Sequence, residues 1–224
     1  IPKHDLFTYS FPCQDISLSS YNQKGLRENS GTRSSLLWEC KKVIYHSKPK
    51  VLMLENVKNL VSTRYINDFN KWVDWLAELG YKNYCGVLNS KDYGLPQNRE
   101  RVFLISILGE HNEFKFPEKV DMTIKLSDLM ENNADEKLYL NEEQIDSLLY
   151  NRETDGTYAN IKNATKKGYA VAKHGYGIDL SFPNSKTRRG RVQKDISHTV
   201  QTRVTNGVYD NGRIRKLSAL EVWR

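Results

Sequence analysis

The chain of 224 residues is long enough for one large domain, or for one domain with a smaller partner. Its 38% hydrophobic and 27% charged residues exclude an acidic disordered chain and a collagen-like chain. Apolar runs such as Val51 to Leu54 are too short to span a bilayer, and three cysteines favour a reducing compartment over a disulfide framework. We therefore expect a soluble, intracellular and basic protein, with a net charge of +7.

The first half of the chain alternates strand and helix patterns. We predict strands at residues 5–9, 51–54, 84–88 and 101–108, and helices at residues 34–47 and 68–79. The continuous apolar run 51–54 is typical of a strand that is covered on both faces. This order of elements predicts an α/β fold whose mostly parallel sheet carries helices on both faces.

After Gly109 the pattern changes. Residues 110–212 contain one predicted helix, from Asn141 to Tyr150, and many turns that separate short strands. We interpret them as a second, smaller, mainly β domain. From Arg213 the pattern is helical again, and residues 213–224 are expected to return to the first domain, residues 1–109.

A candidate nucleophile follows the first predicted strand, in the segment Phe11-Pro12-Cys13-Gln14. Ligands of open α/β sheets bind beyond the carboxyl ends of the strands, and Pro12 stiffens the turn that carries Cys13. We interpret Cys40 and Cys85, on a helix face and within a strand, as small buried apolar residues.

Charged residues end two other strands. Glu55 follows the apolar run 51–54 and is either a salt-bridge or capping residue, or an acid whose pKa is raised by desolvation. Because Cys13 and Glu55 both end strands of one sheet, we expect them to converge on a pocket. Arg99 and Arg101 have the spacing of residues on one face of a strand, where they would bind oxyanions or form surface salt bridges.

A basic cluster interrupted by Gly190 lies near the end of the chain. It is either a solvated surface loop or a stripe that contacts the phosphates of a nucleic acid duplex. Its five cations are Lys186, Arg188, Arg189, Arg191 and Lys194.

Five blocks of the sequence occur in an order that resembles the cytosine-C5 DNA methyltransferases of bacterial restriction–modification systems. The stretch between the fourth and fifth blocks lies where that family has its variable target-recognition domain, and Thr199-Val200 resembles a short element of that domain. The blocks are Pro12 to Gln14, Thr32 to Leu36, Glu55 to Val57, Asn89 to Arg101, and Arg215 to Ser218 with Glu221 and Arg224.

The resemblance implies a partial Rossmann-like methyltransferase core with a small, mainly β target-recognition domain. It also implies methyl transfer from S-adenosylmethionine to C5 of a cytosine that is flipped out of double-stranded DNA. Cys13 would add to C6 of that base, Glu55 would bind N3 and the exocyclic amine, and Arg101 would hold O2. Arg99 would support the pocket or a phosphate.

Further roles follow from the same resemblance, which implies no metal. Pro12 and Leu36 would contact the cofactor, and residues 17–25 would form a mobile catalytic loop. The residues expected to contact DNA are Gln14, Ser17, Ser19, Arg188, Arg189, Arg191 and Thr199. The family also implies location in the bacterial cytoplasm, at the nucleoid.

The family's Gly-rich cofactor loop, its acidic ribose-binding residue and its last motif are not found in this sequence. We therefore expect the chain alone to bind S-adenosylmethionine poorly, with a second subunit or a further segment completing the cofactor site.

Three alternatives stay open. One is a catalytically incomplete DNA-recognition fragment, and another is an RNA cytosine methyltransferase, against which the separate recognition region at 110–212 argues. A thiol hydrolase that uses Cys13 with His46, His174 or His198 agrees least with the sequence, because no papain-type signature surrounds Cys13.

Overall fold

The computed structural model describes residues 2–17, 25–28, 30–152, 156–201 and 203–224. They form two compact units. The first unit contains Ile1–Asn89 and Glu100–Glu118, and the second contains Ser90–Arg99 and Lys119–Arg224. No helix among the described residues is long and apolar enough to cross a membrane.

The elements are numbered along the chain. In the first half they are β1 (Leu6–Tyr9), a 3-10 helix (Arg33–Glu39), α1 (Cys40–Ser47), β2 (Val51–Val57), a 3-10 turn (Lys58–Val61), α2 (Ile66–Glu78), β3 (Tyr81–Asn89), a 3-10 turn (Ser90–Asp92), β4 (Gln97–Asn98) and β5 (Glu100–Leu108). In the second half they are α3 (Leu126–Leu129), a 3-10 turn (Glu136–Leu138), α4 (Glu142–Leu148), β6 (Tyr158–Lys162), β7 (Tyr169–Lys173), β8 (Gly177–Asp179), β9 (Val192–Gln193), β10 (Ser197–His198), β11 (Asn206–Asp210), β12 (Arg213–Lys216) and α5 (Ala219–Trp223).

The predicted mixed α/β class is confirmed, but the direction of one strand is not as expected. The sheet of the first unit has the order β1-β2-β5-β3, in which β1 and β2 are parallel and β5 is antiparallel to both of its neighbours. The chain between β3 and β5, residues 90–99, holds no α-helix. A parallel pair needs a crossover of about a dozen or more residues, usually helical, so this short connection favours antiparallel pairing.

One face of this sheet is buried more deeply than the other. Along β2, Leu52 and Leu54 are completely buried, whereas Val51 and Met53 remain partly exposed. The prediction of a strand covered on both faces is therefore met on one face, whereas Val51 and Met53 on the other face are only partly buried. Alternate residues of a strand face opposite sides of the sheet. Because residues 51–54 are all apolar, the sequence alone does not show which of them are buried.

An aromatic core connects the helices to the buried sheet face. Trp72 of α2 packs edge-on against Trp38 of the 3-10 helix, and its Nε1 donates a hydrogen bond to the hydroxyl of Tyr9 (3.0 Å). This core fixes the end of β1, and therefore the start of the turn that carries Cys13.

The second unit is mainly β, and it contains Ser90–Arg99 and Lys119–Arg224, whereas the predicted β domain was residues 110–212. Its largest sheet has the order β12-β11-β8-β9, β6 and β7 form a hairpin, and β10 pairs in parallel with β4. The predicted helix after Asn141 is present as α4, and Asn141 caps it by accepting a hydrogen bond from the backbone of Gln144 (2.9 Å).

The helix predicted from Arg213 onward is wrong for its first residues, because Arg213–Lys216 is strand β12. The turn Asn211-Gly212 has positive φ at both positions and joins β11 to β12 as a tight hairpin. The contacts group this segment with the second unit. Of the predicted apolar face, Leu217 is buried, whereas Leu220 and Trp223 are exposed.

Candidate active site

Cys13 lies on a tight turn just beyond β1. The backbone amides of Ile16 (3.0 Å) and Ser17 (2.7 Å) both donate to the carbonyl oxygen of Cys13, so the chain reverses immediately after this residue. The Cys13 side chain is half-buried and packs against the core of the first unit. This is the place beyond a strand end where the sequence predicts it.

Two asparagines hold this turn. The side-chain amide of Asn56 donates to the carbonyl oxygen of Phe11 (3.0 Å), and that of Asn59 donates to Ile16 (2.5 Å). Asn56 is buried at the end of β2, where its Oδ1 also accepts from the amide of Val57 (2.8 Å). The backbone on both sides of Cys13 is therefore tied to β2 and to the segment that follows it.

Glu55 and Arg101 form an ion pair on neighbouring strands. Residue 57 of β2 lies opposite Arg101 of β5, so Glu55 is its diagonal neighbour on the same sheet face. The Nε of Arg101 lies 3.0 Å from Oε1 of Glu55, and the two side chains are 18% and 34% exposed. This contact is the salt bridge that one of the two interpretations of Glu55 predicts.

The strand register brings this pair toward the Cys13 turn. Tyr9 lies opposite Leu54 in the parallel pair of β1 and β2, so Glu55 follows directly at the edge where the Cys13 turn begins. Asn56, the next residue of β2, bonds the turn itself. The predicted convergence of these two strand ends is thus supported by the register and by the bond from Asn56.

Arg99 does not share a strand with Arg101. Strand β5 begins at Glu100, which pairs with Asn89, and Arg99 lies before it in the second unit. The Arg99 carbonyl oxygen accepts from the amide of Ser90 (3.1 Å). Arg99 therefore lies outside the strand on which the predicted shared face of the two arginines depends.

Of the two residues expected at the cofactor, one lies in the Cys13 segment and the other on the 3-10 helix whose Ser34 contacts that segment. Pro12 precedes Cys13 and is half-buried, and Leu36 is 50% exposed on the 3-10 helix Arg33–Glu39. That helix is capped by Thr32, whose Oγ1 accepts from the amide of Ser35 (3.2 Å). Pro12 therefore adjoins the candidate nucleophile in the chain, and the side chain of Leu36 is open to solvent.

The other two cysteines differ from Cys13 and from each other. Cys40 is half-buried, and burial raises the pKa of its thiol to about 11. Cys85 is exposed, which contradicts the prediction that it is a buried apolar residue. It lies on β3, which is an edge strand of the sheet and so is covered by a neighbouring strand on one side only.

The residues of the predicted catalytic loop are described in part. Gln14 is exposed, and its Oε1 accepts a hydrogen bond from Nη1 of Arg33 (3.1 Å). Ser17 contributes its amide to the turn around Cys13. Ser19 and the rest of residues 18–24 lie outside the described residues.

Arg191 departs from the expectation that it contacts DNA. Its side chain is completely buried, and burial lowers its pKa to about 10, so it stays protonated at neutral pH. A rigid guanidinium with several donors suits this position. It donates at 2.7–2.9 Å to the carbonyl oxygens of Lys162, Asp179, Ser181 and Phe182.

Arg188 is also engaged within the second unit. It forms an ion pair with Asp179 and donates to Oγ of Ser181 (2.6 Å). The exposed cations of the cluster are Lys186, Arg189 and Lys194. The basic cluster is therefore an internally braced loop with three outward cations rather than a row of five.

Thr199 supports the short parallel pair of β4 and β10. Its Oγ1 donates to the carbonyl oxygen of Asn98 (2.7 Å), and the amide of Ser197 donates to Pro96 (2.8 Å). These bonds fasten the segment after the basic loop to residues 96–98 of the same unit.

A buried ion pair joins two residues of the last sequence block, Arg215 and Glu221. Arg215 is fully buried and donates through both Nη atoms to the carboxylate of Glu221 (2.7 and 2.8 Å), and its Nε donates to Asp210 (2.6 Å). Burial alone would raise the pKa of Glu221, yet the hydrogen bonds that it accepts from Arg215 and from backbone amides lower it. The pair joins β12 to α5.

Sequence reasoning missed Asn56 and Ser34 as residues that hold the candidate nucleophile. Ser34 is fully buried, and its Oγ donates to the carbonyl oxygen of Pro12 (2.6 Å). Asn56 shares the buried face of β2 with Leu52 and Leu54. A polar residue in phase with buried apolar residues was the available signal.

The complete chain, residues 1–224, matches the family of C-5 cytosine-specific DNA methylases. It is 57% identical over 145 residues to the type II methyltransferase M2.ScrFI of Lactococcus lactis subsp. cremoris, covering 65% of this chain and 40% of that protein. It is 40% identical over 225 residues to the orphan methyltransferase M.SssI of Spiroplasma monobiae, covering 98% of this chain and 54% of that protein. The chain thus spans about half the length of these curated relatives.

Solved structures support the fold. The Dnmt2 methyltransferase of S. pombe superposes with a TM-score of 0.55 at 15% identity, over 97% of this chain and 64% of that one. An Entamoeba histolytica methyltransferase, EhMeth, gives a TM-score of 0.51 at 14% identity, over 97% of this chain and 63% of that one. At these identities the likeness concerns the fold alone.

Proposed function

Because the chain belongs to the family of C-5 cytosine-specific DNA methylases, we propose that it carries the catalytic turn and the target-recognition region of an enzyme that methylates C5 of cytosine in duplex DNA. One observation carries this proposal. The Cys13 turn is tied by Asn56 to the end of β2, directly beside the Glu55–Arg101 pair.

Cys13 is the proposed nucleophile. Its thiolate adds to C6 of a cytosine that has been flipped out of the duplex, and the electron pair of the C5–C6 double bond makes C5 nucleophilic. Pro12 and Leu36 would contact S-adenosylmethionine, whose sulfonium would supply the methyl group to C5 and would leave as the neutral thioether. Loss of the C5 proton then restores the double bond and releases Cys13.

Glu55 and Arg101 are proposed to bind the same base from one sheet face. The carboxyl of Glu55 holds N3 and the exocyclic amine and provides the proton at N3 that makes C6 electrophilic. The guanidinium of Arg101 donates to O2. The 3.0 Å ion pair keeps both groups in place before the base enters, so little reorganisation is needed when it binds.

The second unit is proposed to contact the duplex. Exposed Lys186 and Lys194 would lie against phosphates, where cations release condensed counterions, and exposed Arg189 would contact a phosphate or read a guanine. Arg188 and Arg191 would brace the loop from within, through their bonds to Asp179 and to backbone carbonyls. In this proposal Thr199 positions the adjoining segment.

The test is covalent trapping with a duplex that carries 5-fluorocytosine, in the presence of S-adenosylmethionine. The C5 fluorine cannot leave as a proton does, so the adduct on the nucleophile persists. With the segment or subunit that completes the cofactor site also present, we expect an adduct at Cys13 and none with C13S, because a hydroxyl is a far weaker nucleophile at neutral pH. C85S, on the exposed edge strand, is the matched control and keeps the adduct.

The same assay examines the ion pair. E55Q should slow adduct formation by about a hundredfold or more, because an amide cannot provide the proton at N3. E100Q removes a nearby exposed partner of Lys58 and should have no such effect. An adduct mapped to Cys40 or Cys85 would contradict the assignment. Duplex binding without any adduct would favour a DNA-recognition fragment instead.

A further inference from the structure

Ser34 makes a reciprocal contact with the segment that contains Cys13. Its Oγ donates to the carbonyl oxygen of Pro12 (2.6 Å) and accepts from the amide of Asp15 (3.3 Å). In return, Oδ2 of Asp15 accepts from the backbone amide of Ser34 (3.1 Å). Three hydrogen bonds therefore hold the residue before Cys13 and the second residue after it.

The position of Ser34 in its helix accounts for this geometry. It is the second residue after the capping residue Thr32, where a helix leaves backbone amides without intrahelical partners. The carboxylate of Asp15 satisfies one of these amides. Because Ser34 is fully buried, its hydroxyl cannot exchange its partners for water, and its removal would leave polar atoms of the turn unpaired.

Asp15 also connects the Cys13 turn to Gly25. The carbonyl oxygen of Asp15 accepts from the amide of Gly25 (3.1 Å) and from the hydroxyl of Tyr65 (3.3 Å). The carbonyl oxygen of Gly25 accepts from Oγ1 of Thr32 (2.9 Å). The hydrogen bonds of Asp15, Thr32 and Ser34 thus connect the Cys13 turn, the start of the 3-10 helix and Gly25.

We propose that Ser34 and Asp15 are positioning residues that fix the turn from which Cys13 presents its sulfur. The catalytic meaning of this clamp rests on the proposed function, since it acts through Cys13. Its test needs neither DNA nor a cofactor.

The test is the rate at which iodoacetamide alkylates each cysteine of the folded chain, followed by peptide mass spectrometry. S34A and D15A should speed the alkylation of Cys13 about fivefold, the factor by which the removal of one net hydrogen bond shifts a population toward its open form. S35A is the matched control. It removes a hydroxyl from the same helical turn, one that donates to the carbonyl oxygen of Thr32 (2.6 Å).

Cys40 and Cys85 serve as internal references in every sample. Unchanged rates at both, with a faster Cys13 in S34A and D15A, are the expected result. A parallel rise at Cys40 and Cys85 would show that Ser34 holds the whole unit, and would overturn the proposal. So would a Cys13 rate in S34A and D15A equal to that of the unaltered protein or of S35A.

The outcome of the alkylation experiment does not depend on whether the proposed function is correct. Alkylation reports on the clamp even in a protein that forms no adduct with the 5-fluorocytosine duplex. Where the unaltered protein forms that adduct, S34A and D15A should slow its formation without weakening duplex binding. A loss of duplex affinity equal to the loss in adduct rate would contradict a positioning role.

Discussion

The arginines of this chain differ in role, because some are buried and bind other parts of the chain while others are exposed to solvent. Arg191 and Arg215 are completely buried and have their donors bound to carbonyl oxygens or carboxylates, whereas Arg189 extends into solvent. The buried arginines hold strands and loops together, because a planar guanidinium can satisfy several acceptors at once. The bond network, rather than the residue type, decides which arginine remains available to a ligand.

This contrast predicts the effect of R191A on stability. Removing the side chain takes a donor from four carbonyl oxygens, of which that of Phe182 keeps the amide of Ser185, so we expect the free energy of unfolding to fall by about 3 kcal/mol or more. Urea unfolding followed by far-UV circular dichroism measures the change. R189A, on the exposed neighbour, should leave the unfolding midpoint unchanged. Equal midpoints for the two variants would refute a structural role of Arg191.

Short elements of the second unit are set by their turns. The hairpin of β11 and β12 closes over Asn211 and Gly212, at φ 43° and 91°, a two-residue turn that matches the twist of the strands. Strand β12 then carries Arg215 to Glu221, and this pair holds α5. A turn of two residues therefore determines where the last block of the chain lies.

G212A should destabilise this hairpin by about 1–2 kcal/mol, because a residue with a Cβ is strained at that φ. G190A is the control. Gly190 does not have a positive φ, and a Cβ there would meet nothing closer than 3.9 Å, so its substitution should be neutral or slightly stabilising. Chemical unfolding distinguishes the two, and equal losses of stability would argue against the turn.

At the scale of the whole molecule, the candidate catalytic groups and the basic loop lie in different units. The first unit contains Cys13, Glu55 and Arg101, and the second contains the loop with Lys186 and Lys194. Under the proposed function, chemistry and duplex binding can then be changed separately. The exposed lysines supply the charge that attracts phosphates, whereas the Glu55–Arg101 pair has no net charge to add.

We therefore expect K186A and K194A to weaken binding to cognate and random duplexes about equally. Each should reduce the slope of log affinity against log salt by about 0.9 for every phosphate that the protein no longer neutralises. R189A, if its guanidinium reads a guanine, should weaken binding to the cognate duplex alone by about tenfold to a hundredfold. Fluorescence anisotropy at several salt concentrations measures both effects. Unchanged slopes in both lysine variants would identify the cluster as a solvated loop.

Local signals in the sequence determined much of what the structure shows. The strand that leads to Cys13, the Asn141 cap, the α/β class and the mainly β second unit follow from spacing, turn residues and apolar periodicity, which act over a few neighbouring residues. The resemblance to the methyltransferase family rests on blocks of the same kind, and the family is confirmed over the complete chain.

Tertiary structure alone decided the rest. The exposure of Cys85 and the burial of Arg191 depend on which strands and loops become neighbours. The Glu55–Arg101 pair likewise exists because β2 lies beside β5 in one register. Such contacts join residues that are far apart in the chain, and their partners are chosen by the packing of the whole unit, so no local pattern in the sequence records them.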